Sequence, residues 1–249
     1  AAMRIRGAGG SRINITLDGI SLNSPEDQTV FWANMNSYGA LMNSVQIQRG
    51  IGTSTNGDGA FGGSISLATA TPNHQPTVEV SGSFGTYNTY NAGVNFSTGL
   101  LGNHFIFDGA YHETATDGYL HGTAGRSGSY YGGLTYVSDN FQIRYKNIGN
   151  FEKTGQAWSG VVAGNDDATL MSKDIKTYKD LYKRGLGRFN PLYEKLVFDG
   201  NSWTFSTDAN GNYQTQRYKM DDGSYWKKTT DNFYQNHNIL SAVWKPSTA

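Results

Sequence analysis

Residues 44–67 read SVQIQRGIGTSTNGDGAFGGSISL, and the fold follows from how this stretch is read. Val45, Ile47 and the stem of Arg49 alternate with Gln46 and Gln48, which predicts a strand. A Gly/Ser/Thr/Asn connection follows, and a second alternating run begins at Ser64. Six glycines from Gly50 to Gly63 give a backbone that turns sharply and presents main-chain groups. A phosphate cradle needs the glycines to open a helix, with a lysine after them, and here they run into another strand without one. A nucleophilic serine elbow needs Gly-x-Ser-x-Gly before a helix, which is also missing. A glycine-rich turn in an all-β protein stays open on spacing alone.

Motifs in order along the chain resemble the plug domain of TonB-dependent outer-membrane receptors. Val45-Gln46-Ile47-Gln48-Arg49-Gly50 is similar to that family's strand ending in Leu-Arg-Gly-Pro. Asn56-Gly57 stands where Tyr-Gly is usual, and Ala60-Phe61-Gly62-Gly63-Ser64-Ile65-Ser66-Leu67 resembles its Ala-x-Gly-Gly-x-Ile-x-Ile. Upstream, Ile5-Arg6-Gly7 and Leu17-Asp18-Gly19-Ile20-Ser21-Leu22 resemble an Arg-Gly strand and the Asp-Gly-Val-Pro-Leu turn. The departures are Ile51 for proline, Asn56 for tyrosine and Ser21 for proline.

Composition narrows the classes independently. The chain has 249 residues, 20 basic and 20 acidic, a balance that argues against a nucleic-acid partner. It has no cysteine, which excludes disulfide frameworks and thiolate metal sites. Glycine and tyrosine are abundant, 32 and 16 residues, and favour many short strands. No apolar run approaches the roughly 18 residues of a membrane helix, whereas barrel strands need only alternating segments of about ten. The N-terminal Ala1-Ala2-Met3-Arg4 leads into a strand, without a signal peptide, so the chain is expected to start inside a domain.

Two regions are expected: residues 1–72 as the C-terminal part of a small α/β plug, and 73–249 as the N-terminal part of a transmembrane β-barrel. In the first, residues 13–17 alternate as a strand turned by Asp18-Gly19, 24–36 form a loop, and 37–42 form a short helix. Thr71-Pro72-Asn73-His74-Gln75-Pro76 reads as a linker. Beyond it Val78, Val80, Gly82 and Phe84 oppose Glu79, Ser81 and Ser83. Residues 90–100 and 105–112 repeat the pattern, apolar on one side and polar on the other. Residues 117–128 are expected as a loop, 139–140 as a two-residue turn and about 151–231 as a long extracellular loop, with a sixth strand over 235–245. Long connections at one end and short ones at the other suit a barrel, and a soluble β-sandwich shows no such asymmetry. Six strands cannot close around a plug, and plugged transporters of this type have about 22 strands. The chain is therefore read as a fragment, mostly β.

Inside the long loop, Ile175, Tyr178, Leu181 and Tyr182 at helical spacing predict a helix over 174–184, ended by Gly185. Residues 203–205 and 213–218 are expected to pair across the turn at 208–212, and 220–225 repeats the device. Asp208-x-Asn210-x-Asn212 opens like a calcium loop, yet Tyr213 stands where glycine is required and Lys219 where glutamate is, so a plain turn is the better reading. The adjacent pairs Asp166-Asp167 and Asp221-Asp222 point to opposite strand faces and make no glycosidase dyad. His112 and His121 flank the 117–128 loop, where surface decoration outweighs a metal role.

The resemblance implies a mechanism. A ligand binds the outer loops and the plug apex, and an inner-membrane TonB-type energy-transducing complex pulls the plug aside. It implies no enzyme activity and no cofactor. It places the protein in the outer membrane of a Gram-negative bacterium. Its partners would be the lipid bilayer, the remaining barrel strands, a small-molecule or metal-chelate ligand and, in some members, a surface lipoprotein. Carried over by position, Phe31, Trp32 and Asn34 lie in the first apical loop and Asn56, Asp58 and Phe61 in the second. As candidate ligand contacts they stand beside a plain alternative for Phe31 and Trp32, packing on the plug core. Arg49 corresponds to the plug arginine that pairs with barrel carboxylates. The carbohydrate-importing branch carries Lys-Asp-Ala where this chain has Arg49-Gly50-Ile51, so a ferric chelate (siderophore) or cobalamin is the expected cargo. Haem stays open as a cargo, although no residue speaks for it. A surface β-sandwich for binding or adhesion is the rival class, and a surface hydrolase, for which no nucleophile, base and oxyanion arrangement is visible, comes third.

Overall fold

The structure is a computed structural model and describes residues 3–32, 35, 37–50, 61–157, 175, 177–200, 204–226 and 233–246. Two sheets dominate it. The first is built from β1 (Ile13–Leu17), β2 (Ile20–Ser21), β3 (Met42–Arg49) and β4 (Gly63–Thr69), in the order β2-β1-β4-β3. The pair Asp18-Gly19 turns β1 into β2 with φ of 49° and 85°, the positive values that a tight hairpin requires and that Asp-Gly supplies. β1 pairs with β4 in parallel, Ile13 opposite Gly63 through Leu17 opposite Leu67. As the central strand it is buried on both faces, with Ile13, Ile15 and Leu17 each 1% exposed. β3 is one of the two edges, and Val45 and Ile47 lie open on it.

The Gly62-Gly63 pair has a steric reason. A Cβ on Gly62 would lie 2.5 Å from the Cβ of Ala8, and one on Gly63 would lie 2.6 Å from the carbonyl oxygen of Gln48. Gly63 also holds φ at 152°, so both space and backbone demand glycine there. We expect Gly63→Ala to cost about 1–3 kcal/mol and to open the β3–β4 edge. Faster amide exchange at Ile47 and Ile65, with the rest of the protein unchanged, is the measurement that checks it.

The expected short helix is a single 3-10 turn, Tyr38–Leu41, with Tyr38 and Leu41 buried. After the linker, Pro76 opens the second sheet at a position where no backbone donor is needed from the first residue of an edge strand. That sheet contains β5 (Pro76–Gly85), β6 (Thr89–Thr98), β7 (Phe105–Thr116), β8 (Gly125–Val137) and β9 (Phe141–Thr154). Between β9 and its sixth member lie α1 (Tyr178–Lys183), β10 (Glu194–Leu196) and β11 (Thr215–Arg217), and β12 (Phe233–Trp244) closes the set. The order is β12-β9-β8-β7-β6-β5, antiparallel throughout, so the six expected strands are present as an open meander. Among the described residues no helix is long and apolar enough to cross a membrane.

Register divides this sheet into two unlike faces. Val78, Phe96, Phe107, Leu134, Leu240 and Trp244 stand on the outward face, each substantially exposed. Glycine opposite an aromatic ring recurs there: Phe96 pairs with Gly109, Tyr130 with Gly149 and Phe151 with Gly128, each ring covering the glycine's empty side. The other face carries Ser97, Asp108, Ser127, Ser129, Arg144 and Lys146, all buried, because it packs against the first sheet.

Several boundaries differ from the sequence expectation. The loop read as 117–128 ends at residue 124, since Gly125 and Arg126 already pair with Thr154 and Lys153. β9 correspondingly runs to Thr154, so the long excursion starts after it and not at 151. The last strand is Phe233–Trp244, starting two residues earlier and ending one residue earlier than 235–245. The helix is shorter than 174–184. Thr177 caps its N-terminus in a box with Asp180, a start signal that the apolar spacing alone did not show.

Candidate functional site

The long excursion is a folded unit with its own core, Ile175, Leu181, Leu186, Phe189 and Leu196, packed against Phe205 and Tyr213. Its hairpin pairing differs from the expectation. The turn at 208–212 does bridge Thr207 to Tyr213, but the strand after it, β11, pairs with β10 and not with residues 204–205, while Trp203 lies outside the described residues. Phe205 instead bridges Phe198 and stacks on it at 4.8 Å. The buried residues Glu194 and Leu196 make β10 the better partner. Asp208 supports the turn reading over a calcium loop: its carboxylate accepts the backbone N–H groups of Asn210 and Asn212 at 2.8 and 2.9 Å. The bonds from Asn212, backbone first, hold this carboxyl below its ordinary value.

The unit is fastened over one end of the six-stranded sheet. Asn190, 1% exposed, donates from Nδ2 to the carbonyls of His121 and Gln156 at 2.8 and 3.0 Å, and its Oδ1 accepts the Leu192 N–H at 3.1 Å. Arg188 Nε donates to the Tyr119 carbonyl at 2.6 Å, and its guanidinium lies 5.2 Å from the Tyr87 ring centroid. His121 Nδ1 and the buried Glu194 carboxylate are 2.6 Å apart. A Cβ on Gly122 would strike the Tyr193 ring at 2.1 Å, so glycine admits that ring. Residues 86–88, 117–124 and the described residues of the long excursion thus form one cap. One of these three connections is only three residues long, which the long-and-short rule did not foresee. His112 and His121 do not share a site, since His112 Nε2 meets Asn95 Oδ1 at 2.9 Å instead. Among the described residues no group of three or more His, Cys, Asp or Glu side chains could hold a metal ion.

The candidate contacts scatter. Phe31 is 65% exposed and Phe61 75% exposed, both available to a ligand, whereas Trp32 packs against the core of the first sheet. Asn34, Asn56 and Asp58 lie outside the described residues. No ring contact among the described residues joins Phe31 to Phe61. Arg49 is exposed at the end of β3, opposite Gly63, and makes no ion pair among the described residues.

The polar contacts between the two sheets, which stand beside the apolar packing of Ala110, Tyr131, Ile148 and Ile239, were missed by sequence reasoning. Lys146, on β9, donates to Asp18 Oδ2 at 2.6 Å and to Thr69 Oγ1 at 2.8 Å. Asp18 itself accepts the Thr69 N–H at 3.0 Å and Thr69 Oγ1 at 2.8 Å, so the Asp-Gly turn, the end of β4 and β9 meet at one point. Two residues away, Arg144 donates to the Ala70 carbonyl at 2.9 Å and to Asp108 Oδ2 at 2.6 Å. Tyr131 also donates to Asp108. Ser129 Oγ donates to the Ser37 carbonyl at 2.8 Å, and the Ser37 and Ser127 hydroxyls are 3.2 Å apart. The available signal was Arg144 and Lys146 spaced by two on the face that alternation assigns to the interior, where a cation needs a partner.

Residues 1–64 match the family described as TonB-dependent Receptor Plug Domain. Among solved structures, Pseudomonas aeruginosa FpvA bound to a heterologous pyoverdine–iron complex is similar at 19% identity with a TM-score of 0.58, over 69% of this chain and 23% of that one. The siderophore receptor PiuA of Acinetobacter baumannii is similar at 17% identity and TM-score 0.51, over 62% and 21%. The ferric-catecholate import receptor Fiu of E. coli K12 is similar at 14% identity and TM-score 0.52, over 69% and 23%. These likenesses are of fold, and the chain spans less than a quarter of the length of these three receptors. No curated protein sequence matches it.

Proposed function

We infer that this chain is a segment of a TonB-dependent outer-membrane receptor, with the plug sheet seated on the first strands of its barrel, and we propose that the receptor imports a ferric chelate. The observation that carries the proposal is the seam: a plug sheet held by buried polar contacts to the inner face of a sheet whose outer face is apolar. A plug so attached closes a channel and can be displaced without unfolding the wall. Plug and barrel divide at 1–72 and 73–249. The cap supplies the outer wall of the ligand site, and Phe31, Phe61, Asn34, Asn56 and Asp58 its floor, with Trp32 packed beneath them against the core. Arg49, open at the end of β3, meets carboxylates on strands beyond this chain. The cargo crosses intact, so the protein acts as a transporter and not as an enzyme, with a TonB-type complex supplying the pull.

Cells expressing the full-length receptor, fed radiolabelled iron chelates and, separately, labelled cobalamin, are expected to accumulate an iron chelate. A protonophore should abolish the accumulation. Binding that never becomes energy-dependent uptake would replace transport with the adhesion or surface-binding reading, and uptake of cobalamin alone would overturn the cargo.

A further inference from the structure

The apolar outward face of the six-stranded sheet is interrupted at mid-height. Asn147 on β9 and Asn236 and Asn238 on β12 share the register of Leu134, Tyr145 and Leu240, so all three carboxamides stand on that face. The ten residues from Tyr234 to Trp244 span about 33 Å, which is about 25 Å of height at a strand tilt near 40°, the whole apolar band of a barrel. Asn238 lies four residues from one end of that run and six from the other, with exposed Tyr234, Leu240 and Trp244 above and below it. The three amides form a ladder. Asn147 Nδ2 donates to Asn236 Oδ1 at 2.9 Å and to Asn238 Oδ1 at 2.8 Å. Asn236 Nδ2 returns a bond to Asn147 Oδ1 at 3.2 Å and donates to the Tyr130 hydroxyl at 3.0 Å. Asn238 Nδ2 donates to Asn236 Oδ1 at 3.1 Å, and the Tyr145 hydroxyl donates to Asn238 Oδ1 at 2.7 Å.

The ladder does not close on itself. Among the described residues the second N–H of Asn238 has no acceptor, and the Tyr130 hydroxyl accepts a bond without donating one. Beside the ladder lies a gap. Gly132 pairs with Gly109 on one side and with Asn147 on the other. Rings of Phe96, Phe151 and Tyr130 cover Gly109, Gly128 and Gly149, whereas a Cβ on Gly132 would meet nothing within 4 Å. Hydrocarbon offers such a patch no acceptor, and an unmet donor there is costly. Further barrel strands would extend the sheet from its β5 and β12 edges and would not cover its face.

We propose that this patch is a lateral interface at which a second copy of the receptor packs within the membrane. A carboxamide carries donor and acceptor together, so two ladders related by a two-fold axis answer each other, the free Asn238 N–H of one meeting a carboxamide oxygen of the other. The exposed Leu240 beside each ladder fills the other copy's gap at Gly132. Small residues next to hydrogen-bonding side chains are the composition by which membrane-embedded surfaces associate, since backbones can approach and polar groups find partners that lipid lacks. This rests on the receptor reading above, under which the outward face meets lipid, and adds a partner to it.

The test reads energy transfer between donor- and acceptor-labelled copies of the full-length receptor in lipid vesicles as the lipid-to-protein ratio is raised. The native receptor is expected to dimerise. Asn238→Leu, which removes the free donor and keeps the Asn147–Asn236 pair, and Gly132→Leu, which fills the gap, are each expected to weaken the dimer about tenfold or more. Val78→Ala, on the same face at the far edge of the sheet, should leave it unchanged. A native receptor that stays monomeric at every ratio, or variants that dimerise as the native protein does, would overturn the interface. Should either variant fail to fold, cross-linking decides: a thiol cross-linker should join copies carrying Asn238→Cys and not copies carrying Val78→Cys. Equal yields at the two positions, or capture of a different protein at Asn238→Cys in whole outer membranes, would remove the second copy as the partner. Failure of the receptor reading looks different: the protein then washes from the vesicles at alkaline pH and both readings fall, whereas an inserted monomer refutes the interface alone.

Discussion

Replacing Lys146 by methionine is expected to loosen the plug from the barrel wall by about 3–5 kcal/mol, the range for removing one member of a buried ion pair. The pair is well inside that category, since the Lys146 and Asp18 side chains are 6% and 14% exposed. Methionine fills the volume but leaves Asp18 with only its two bonds to Thr69, and an unanswered carboxylate in the seam. Amide exchange at Thr16, Leu17, Leu67 and Thr69 should accelerate more than a hundredfold, by the tenfold per 1.4 kcal/mol that links energy to population. The Asp18→Asn and Lys146→Met double variant should regain most of the loss, because an amide beside a thioether leaves no charge behind. Exchange unchanged in the single variant, or losses that simply add in the double, would remove the pair from its role.

The second large effect is expected at Asn190. Truncation to alanine deprives the carbonyls of His121 and Gln156 of their donor and the Leu192 N–H of its acceptor, at a residue 1% exposed. Each buried group left unmade costs about 1–3 kcal/mol, so the cap should detach while the strands below stay paired. Limited proteolysis is the direct readout: cleavage within 117–124 and 185–200 should quicken, and β5 to β9 should remain protected. If the core Ile175, Leu181, Leu186, Phe189 and Leu196 alone secured the cap, the variant would be cut no faster than the native chain.

Asn190 also marks where sequence ceases to be legible. Strands with one dry and one wet face announce themselves by period two, which is why β5, β6 and β7 and the outward set Val78, Phe96 and Phe107 could be read directly. The Asp18-Gly19 turn and the Gly62-Gly63 pair were equally plain, since each answers a backbone demand that few other residues meet. Partnership across distance was not. β1 finds β4 in parallel some fifty positions away, and nothing in Ile13–Leu17 names that partner. β11 likewise chose β10 over residues 204–205, because burial of Glu194 and Leu196 decided what a local turn signal could not. In the site, the apical aromatics were visible as residues but not in their fates: Phe31 is open while Trp32 is packed. Asparagine as a hub carries no motif at all.

The seam between plug and wall has a mechanical consequence. Beside the few apolar contacts of Ala110, Tyr131, Ile148 and Ile239, it is made of serine hydroxyls, carbonyls and two cations. Hydroxyl and carbonyl bonds can be handed over to water one at a time at a net cost of only about 0.5–1.5 kcal/mol each, so most of the surface behaves like a wetted bearing. The Lys146–Asp18–Thr69 junction is different, since both charges would have to be rehydrated together. On the proposed function, load applied to the plug would therefore concentrate at that junction, which would act as the yield point: below its threshold the plug would hold, and beyond it the remaining contacts would slide.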